Sequence, residues 1–238
     1  MIRLLIAVLT TITLGACAHA PAYDPQDPLE VVNRKVYKFN DVADRYVLRP
    51  VAKTYADITP QPVKTGVSNF FDNHLTYPIT IVNGVLQLKF KQAASDTGRF
   101  LLNSTVGILG LVDVASQQGM ERHDEDFGQT LGYWGVGEGW FLMLPLLGPS
   151  TNRDLIGRGG DYFSDPTYYV DEPQVEYPLI ALRAVDSRAG LLGTPENFLN
   201  QQLDPYVAIR TAYLEKRWNL IHDGNPPPDD DFEDFGDE

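Results

Sequence analysis

The sequence predicts a mainly α fold of short amphipathic helices in a curved or ring-like packing, and three observations carry that expectation. Apolar residues recur every three or four positions in one segment after another. Prolines at 50, 60, 62 and 78 cut those segments short, and turn-bounded strand signals are few. One stretch departs from the pattern: residues 127–154, FGQTLGYWGVGEGWFLMLPLLGPSTNRD. Here Gly128, Gly132, Gly135, Gly137, Gly139 and Gly148 are mixed with Tyr133, Trp134, Trp140 and Phe141 and an aliphatic run broken by Pro145. Glycine at that density suits neither a helix interior nor a packed strand, because each one costs backbone entropy. Yet residues 140–147 are the most apolar block outside the N-terminal segment. A segment both irregular and apolar is covered either by a protein core or by lipid. Composition leaves both readings open.

The chain begins with Met1-Ile2-Arg3, an apolar run over residues 4–14 and the small residues Gly15 and Ala16. That is an export signal too short to span a bilayer. Cys17 is the only cysteine in 238 residues and stands at the end of the run. Leu14-Gly15-Ala16-Cys17 is similar to a bacterial lipoprotein signal, in which the thiol takes a diacylglycerol group and the freed amine is acylated. Two or more acyl chains hold a protein stably on a membrane where one does not. Ala18 after the cysteine implies, by the same likeness, sorting to the outer membrane. With its thiol consumed the chain has no disulfide.

Residues 17–26 read as a linker from the lipidated cysteine. In Asp27-Pro28-Leu29-Glu30 an N-cap acid, a proline at the first helical position and a glutamate placed for a capping box predict a helix start. Leu29, Val32, Val36, Phe39, Ala43 and Tyr46 form one apolar stripe, opposite Asn33, Arg34, Lys38, Asp41 and Arg45, and the helix is expected to end before Pro50. Residues 50–58 predict a second helix with Val51, Tyr55 and Ile58 inward. A third follows Pro62, with Val63, Val67, Phe70, Phe71 and Leu75 on one side. A fourth runs from Pro78 to Phe90 and is apolar round most of its circumference, so it is buried on all sides or touches lipid. Residues 93–105 continue helically, and residues 108–115 are a further apolar piece.

Residues 116–126 are a polar break. Within it His123-Asp124-Glu125-Asp126 is the one place that resembles a metal site, but four consecutive residues cannot all face one centre. The expectation there is a solvated charged loop. Ser150 or Thr151 caps a turn of helix expected to end at Gly157. Residues 175–189 and the segment after Asp204-Pro205 predict two last helices. Residues 27–222 thus form a single domain, and the acidic, proline-containing residues 223–238 have no means of forming a core.

Charge and motif narrow the function. The net charge is −13; removing the signal with Arg3 makes it −14, and the eight acids after residue 222 leave −6 for the body. Nucleic-acid binding needs a basic face, so it is excluded. An acidic body gains no general attraction to anionic lipid, so membrane contact has to be hydrophobic. Four scattered histidines (His19, His74, His123, His222) predict no metal and no cofactor. No nucleophile elbow, zincin motif or phosphate loop occurs, and nothing favours an enzyme.

These pieces together resemble the MlaA (VacJ) family of outer-membrane lipoproteins. The residues that carry the likeness are Leu14 to Cys17, Asp27-Pro28-Leu29-Glu30, Asn33-Arg34, Phe39-Asn40 and Arg49-Pro50-Val51-Ala52. Pro60-Gln61-Pro62, Gly66-Val67-Ser68-Asn69-Phe70 and Arg99-Phe100-Leu101-Leu102-Asn103-Ser104-Thr105 continue it. Most specific are Phe127-Gly128-Gln129-Thr130-Leu131-Gly132, Gly135-Val136-Gly137-Glu138-Gly139, Leu144-Pro145, Gly148-Pro149-Ser150 and Arg153-Asp154, before Asp204-Pro205-Tyr206. The resemblance implies a helical ring seated in one leaflet of the outer membrane, facing the periplasm, around a central amphipathic channel. Phospholipid strayed to the outer leaflet would enter that channel and pass to a periplasmic MlaC-type lipid-binding shuttle, with a trimeric porin as scaffold partner. By the same resemblance the channel or gate candidates are Phe39, Asn40, Gly132, Tyr133 and Trp134. The membrane- or lipid-contacting candidates are Trp140, Phe141, Leu142, Leu144, Leu146 and Leu147. A non-transporting, porin-associated lipoprotein and a lipid-tethered periplasmic hydrolase are the alternatives.

Overall fold

The structure is a computed structural model that describes residues 24–193, 199 and 201–227. The signal, Cys17 and residues 228–238 lie outside this set. The described chain is mostly helical, as the sequence predicts. Helices α1 (Glu30–Ala43) and α2 (Arg49–Ile58) are joined without a break by a π-helical segment, Asp44–Leu48. Helices α3 (Gln61–Phe70) and α4 (Tyr77–Leu86) are joined in the same way by Phe71–Thr76. The breaks expected at Pro50 and Pro78 are therefore wide turns instead. Each π segment ends two residues before a proline. A proline donates no N–H and its ring crowds the carbonyl four residues back; widening the turn moves that carbonyl aside and lets the helix continue.

Helices α5 (Phe90–Thr105) and α6 (Val114–Gln117) follow, and then α7 (Phe127–Tyr133). The helix expected to reach Phe90 ends at Leu86, where Leu88 takes a left-handed φ of 60° and turns the chain. Next comes a hairpin that the sequence reading did not foresee: β1 (Phe141–Leu144) pairs antiparallel with β2 (Gly148–Thr151), Phe141 opposite Thr151 and Leu144 opposite Gly148. The apolar block 140–147 is thus a strand and its tight turn. Helix α8 (Asn152–Asp161) starts at Thr151, whose side chain accepts from the Asp154 N–H. It runs through Gly157 and Gly160 and does not end there. A Cβ at Gly157 would lie 2.4 Å from the Gly128 nitrogen, and one at Gly160 would lie 2.3 Å from the Phe127 ring. The glycines let α7 and α8 touch backbone to backbone. A 3-10 turn (Pro166–Tyr169), α9 (Pro173–Gly190) and α10 (Pro205–Ile221) complete the described chain.

The contacts between elements close into a circuit. Helix α2 packs on α9, α9 on α3, α4 on α5 and α7, and α7 on α8 and α10. Helix α10 then packs on β2, and β1 returns to α1. No helix among the described residues is long and apolar enough to cross a membrane.

Burial around this ring is inverted. Among the described residues twenty buried positions are polar or charged and ten are apolar. Meanwhile large apolar side chains from each of the helices α1 to α5 stand exposed. The apolar stripe of α1 is divided: Val36 packs on the buried cluster, but Phe39 is 53% and Tyr46 74% exposed, while Asn33 from the opposite face is buried. Val51 and Ile58 on α2 and Val63 on α3 are exposed too, where an inward face was expected; Phe71 and Leu75 are buried as expected. On α4 the buried face carries Tyr77, Thr80, Asn83 and Gly84, and Val82 and Val85 are exposed. Ordinary water-soluble folds expose scattered apolar residues singly, not in this density.

Candidate functional site

The hairpin is held against α1 by two asparagine side chains. Asn33 donates through Nδ2 to the Phe141 carbonyl at 3.0 Å and accepts the Met143 N–H at 2.9 Å. Asn40, seven residues and two helical turns further on, repeats the arrangement. It donates to the Leu144 carbonyl at 2.9 Å and accepts the Leu146 N–H at 2.8 Å. A carboxamide carries a donor and an acceptor side by side, so it can complete a β-strand edge where a second strand would otherwise sit. The structure thereby brings Asn40 together with the 140–147 block, although the two are 104 residues apart.

Within that block the candidates separate. Phe141 is 1% exposed and packs edge-on against Tyr206 and Tyr213, in a cluster with Met143, Val36 and Ile209. It is a core residue, which corrects its assignment as a lipid contact; alternation along the strand turns its ring inward. Leu142 and Leu144 are half-buried. Trp140, Leu146 and Leu147 are exposed, and Leu146 holds a left-handed φ of 62° at the turn.

Tyr133 and Trp134 lie elsewhere. The Trp134 indole donates to the Leu86 carbonyl at 3.1 Å, and the Tyr133 ring stands 5.8 Å from Lys89 Nζ. Both are half exposed against the end of α4, away from Asn40's partners. Gly132 is a packing position, since a Cβ there would meet Ile221 of α10 at 2.8 Å. Phe39 stands exposed beside Asn40. Cys17 lies outside the described residues.

A cavity of about 260 Å³ opens between α1, the hairpin, α9 and α10. Its walls include Tyr37, Met143, Pro149, Leu191 and Ile209, with the Asn40 amide among them. Its charged lining is Asp41 and Asp44 with Arg49 and Arg188. The Arg188 guanidinium grips Asp44 through Nε at 2.7 Å and Nη2 at 2.9 Å, and Arg49 Nε stands 3.6 Å from the same carboxylate.

Sequence reasoning missed the polar networks that close the ring. Asp27 is not a helix cap: its carboxylate is buried, accepting from Asn33 at 2.8 Å, from Arg210 at 3.1 Å and from the Tyr206 hydroxyl. Burial and that carboxylate push the Tyr206 hydroxyl well above the ordinary phenol range. Arg217 bridges Asp126 at 2.5 Å and Asp154 at 2.9 Å, and Tyr213 donates to Asp154 at 2.7 Å. Asp161 accepts from Asn83 at 2.9 Å and from the Phe127 N–H at 3.0 Å. Burial, reinforced by the nearby Asp126 charge, pushes its carboxyl up to about 6. The expected solvated loop is partly interior: Glu125 is 3% exposed and accepts from Gln87, Lys89 and Gln92. His123 hydrogen-bonds Asp96 at 2.8 Å and stands 3.8 Å from Glu121. No group of three or more metal-ligating side chains occurs among the described residues. The one signal that pointed to these networks was the density of Asp and Arg inside helical segments.

Comparison with known proteins agrees with this architecture. The MlaA lipoprotein family profile matches residues 25–219. An Escherichia coli protein named intermembrane phospholipid transport system lipoprotein MlaA is 37% identical over 236 residues, covering 95% of this chain and 92% of its own. Its Haemophilus influenzae namesake is 34% identical over 93% of this chain and 91% of its own. A Rickettsia typhi protein is 38% identical over 80% of this chain and 76% of its own. A solved structure, reported as the structural basis for maintenance of bacterial outer membrane lipid asymmetry, superposes with a TM-score of 0.73 at 35% identity. It covers 82% of this chain and 98% of that one. With the profile spanning most of its length and relatives above 30% identity along nearly all of it, the chain belongs to the MlaA lipoprotein family.

Proposed function

We propose that this protein removes mislocalised phospholipid from the outer leaflet of the outer membrane. It passes the lipid through an amphipathic channel to a periplasmic MlaC-type shuttle and so maintains lipid asymmetry. Cys17 carries the acyl anchor, the body sits in the inner leaflet facing the periplasm, and a trimeric porin is its scaffold. The protein does this without catalysis and without a cofactor: its work is to offer lipid a path, not to break a bond.

The observation that carries the reading is the inverted burial. A protein surrounded by water gains roughly 1.5–3 kcal/mol for each large apolar side chain it covers, and this one leaves many uncovered. In acyl chains the same exposure costs nothing, while polar groups must find partners inside the fold. Asn33, Asn83, Gln87, Asp126 and Asp154 meet that second condition, and the buried Asn73 amide does not.

Phe39 and Asn40 act at the gate in this reading. The Asn40 amide holds the turn that carries Leu146 and Leu147, so its release would free the hairpin tip while the Asn33 clasp keeps the strand base in place. Trp140, Leu142, Leu144, Leu146 and Leu147 contribute the lipid-contacting surface, and Tyr133 and Trp134 contribute to the channel from the far side of α7.

Photocrosslinking tests the proposal. A photoreactive residue placed at Trp140, Leu146 or Leu147 in native membranes should attach to phospholipid, and one at Phe141 should attach only to protein. A folded, membrane-bound protein that yields no lipid adduct at any of the three exposed positions would overturn it.

A further inference from the structure

We propose that Asp186 and Lys64 form a subsite for a zwitterionic phosphoethanolamine headgroup in a second cavity, bounded by α2, α3 and α9. The Asp186 carboxylate takes the ammonium and Lys64 takes the phosphate. The inference rests on the lipid-transport reading and names the headgroup class of the cargo.

The first observation is a charge without a counter-charge. Six carboxylates are buried among the described residues, and five of them face a base. Asp27 faces Arg210 at 3.1 Å, Asp96 faces His123 at 2.8 Å and Glu125 faces Lys89 at 3.0 Å. Asp154 faces Arg217 at 2.9 Å, and Asp165 faces Arg183 at 3.7 Å. Asp186, 8% exposed, is the exception. It accepts from the Tyr55 hydroxyl at 2.9 Å and from the Ser68 hydroxyl at 2.7 Å, and both donors are neutral. Burial, with the carboxylate beside it, pushes the Tyr55 phenol up to about 12, so it stays a neutral donor. Pinning α9 to α2 and α3 needs only an acceptor, which an amide supplies without the desolvation cost of a charge. A carboxylate offers about four lone-pair positions, and two hydroxyls leave the others open to a cation.

The cavity is the second observation. Asp186 lines a recess of about 280 Å³, and Ala56, Ala189 and Gly190 are its only lining residues without a polar side chain. Small-molecule sites begin at roughly 300 Å³, so the recess suits a headgroup and not two acyl chains. Lys64 lines it too and carries the one basic side chain there. Its Nζ donates to the Ala56 carbonyl at 2.8 Å, which leaves two of its three N–H groups for another acceptor. Lys64 and Ser68 are four residues apart on α3 and share a face, so the ammonium lies one turn from the hydroxyl that holds Asp186. One acid and one base, each bonded only to neutral groups, thus open on the same polar space.

The ligand that answers this pair carries a primary amine and a phosphate joined by a short chain. Its ammonium supplies Asp186 with the cation that every other buried carboxylate has. Its acyl chains find apolar cover nearby: Ile58, two residues beyond Ala56, and Val63, next to Lys64, are both exposed.

The test places a photoreactive residue at Thr65, an exposed position on the cavity wall, in the full lipidated chain. Mixed micelles offer equimolar phosphatidylethanolamine and phosphatidylglycerol of the same acyl chains; the second keeps the phosphate and lacks the amine. Adducts are measured by mass spectrometry. The ethanolamine lipid should predominate, and Asp186→Asn should lower that preference roughly tenfold. Lys64→Gln should lower capture of both lipids and leave their ratio unchanged. Tyr55→Phe removes one tie to the carboxylate and keeps its charge, so the preference should survive. A loss in Tyr55→Phe equal to that in Asp186→Asn makes Asp186 a structural pin and overturns the inference. Equal capture of the two lipids at Thr65 overturns it as well. No adduct at Thr65, with a probe at Leu146 still attaching to phospholipid, overturns this inference and leaves the transport reading standing. No adduct at either position overturns both. Soluble phosphoethanolamine that binds with the same Asp186 dependence, while the lipid does not reach Thr65, makes the recess a free-amine site and refutes the headgroup assignment.

Discussion

The two sides of the ring are held together by different physics. Around the hairpin, α1 and α10 meet over an apolar cluster in which Phe141, Met143 and Tyr206 are buried. Across the ring, α4, α5 and α7 meet over Asn83, Gln87, Thr130, Asp96, Arg99 and Asn103, all buried, with Tyr77, Ile79 and Ala93 buried beside them. Thr130 donates to Asn83 at 2.8 Å, and Gln87 donates to both Thr130 and Glu125. Arg99, fully buried, holds Met120 and Ser116 at 2.7 Å and Asp113 at 2.5 Å. The outward faces of those same helices carry Val82, Val85, Phe90 and Leu101, all exposed. Where the outside is as apolar as any core, burying leucine gains little, and hydrogen bonds unavailable from the surroundings do the holding. The hairpin side keeps a conventional core, so water-driven packing still operates there.

Three substitutions sharpen that contrast. Arg217→Ala should have the largest effect. It leaves the Asp126 and Asp154 carboxylates without their shared partner, at a cost of roughly 3–5 kcal/mol. Denaturant unfolding in detergent measures it, and a loss below about 1 kcal/mol would mean that ion pairs do not hold α10 to α7 and α8, at the seam between the two sides. Phe141→Ala comes next, at about 3 kcal/mol from lost packing and the cavity left behind. That loss should change little with salt, whereas a strong salt dependence would break the distinction between the two sides.

Asp161→Asn is the smallest and depends on pH. Burial raises the Asp161 carboxyl to about 6 from a usual value near 3.9. The folded state therefore holds its proton more tightly, and the stability this group contributes is full below about pH 4 and is lost as pH rises through 6. The variant has no such group. Relative to wild type it should gain on the order of 1 kcal/mol between pH 4 and pH 7. A stability gap that stays constant across that window would show that Asp161 does not titrate there.

Much of the fold was legible in the sequence, and the failures share a cause. Periodicity located the helices, and residues 140–147 stood out because glycine density and apolar content conflicted. The direction of each stripe could not be read. A period of 3.6 says which residues share a face, and the rule that the apolar face turns inward holds only when water is outside. Phe39 from the apolar stripe stands exposed and Asn33 from the polar face is buried for that reason. Pro50 and Pro78 signalled an interruption correctly, but a wide turn absorbs a proline as well as a break does. Asp27 carries every mark of an N-cap, yet its partners include a tyrosine 179 residues away, beyond any local rule. At the site, Asn40 was singled out by resemblance alone. Its role in completing the strand edge needed the hairpin, which glycine-rich sequence concealed.

The exposed apolar belt has a consequence for the protein's transit to its membrane. Between leaving the ribosome and reaching a bilayer, a chain with this surface is in water with Ile58, Ile108, Leu146, Ile156 and Phe163 uncovered. Surfaces of that kind associate with one another. The hydrogen-bonded interior gives no remedy, since it can be complete while the outside remains greasy. Solubility is therefore a property of what surrounds the chain: detergent or acyl chains have to cover the exposed residues before it stays dispersed.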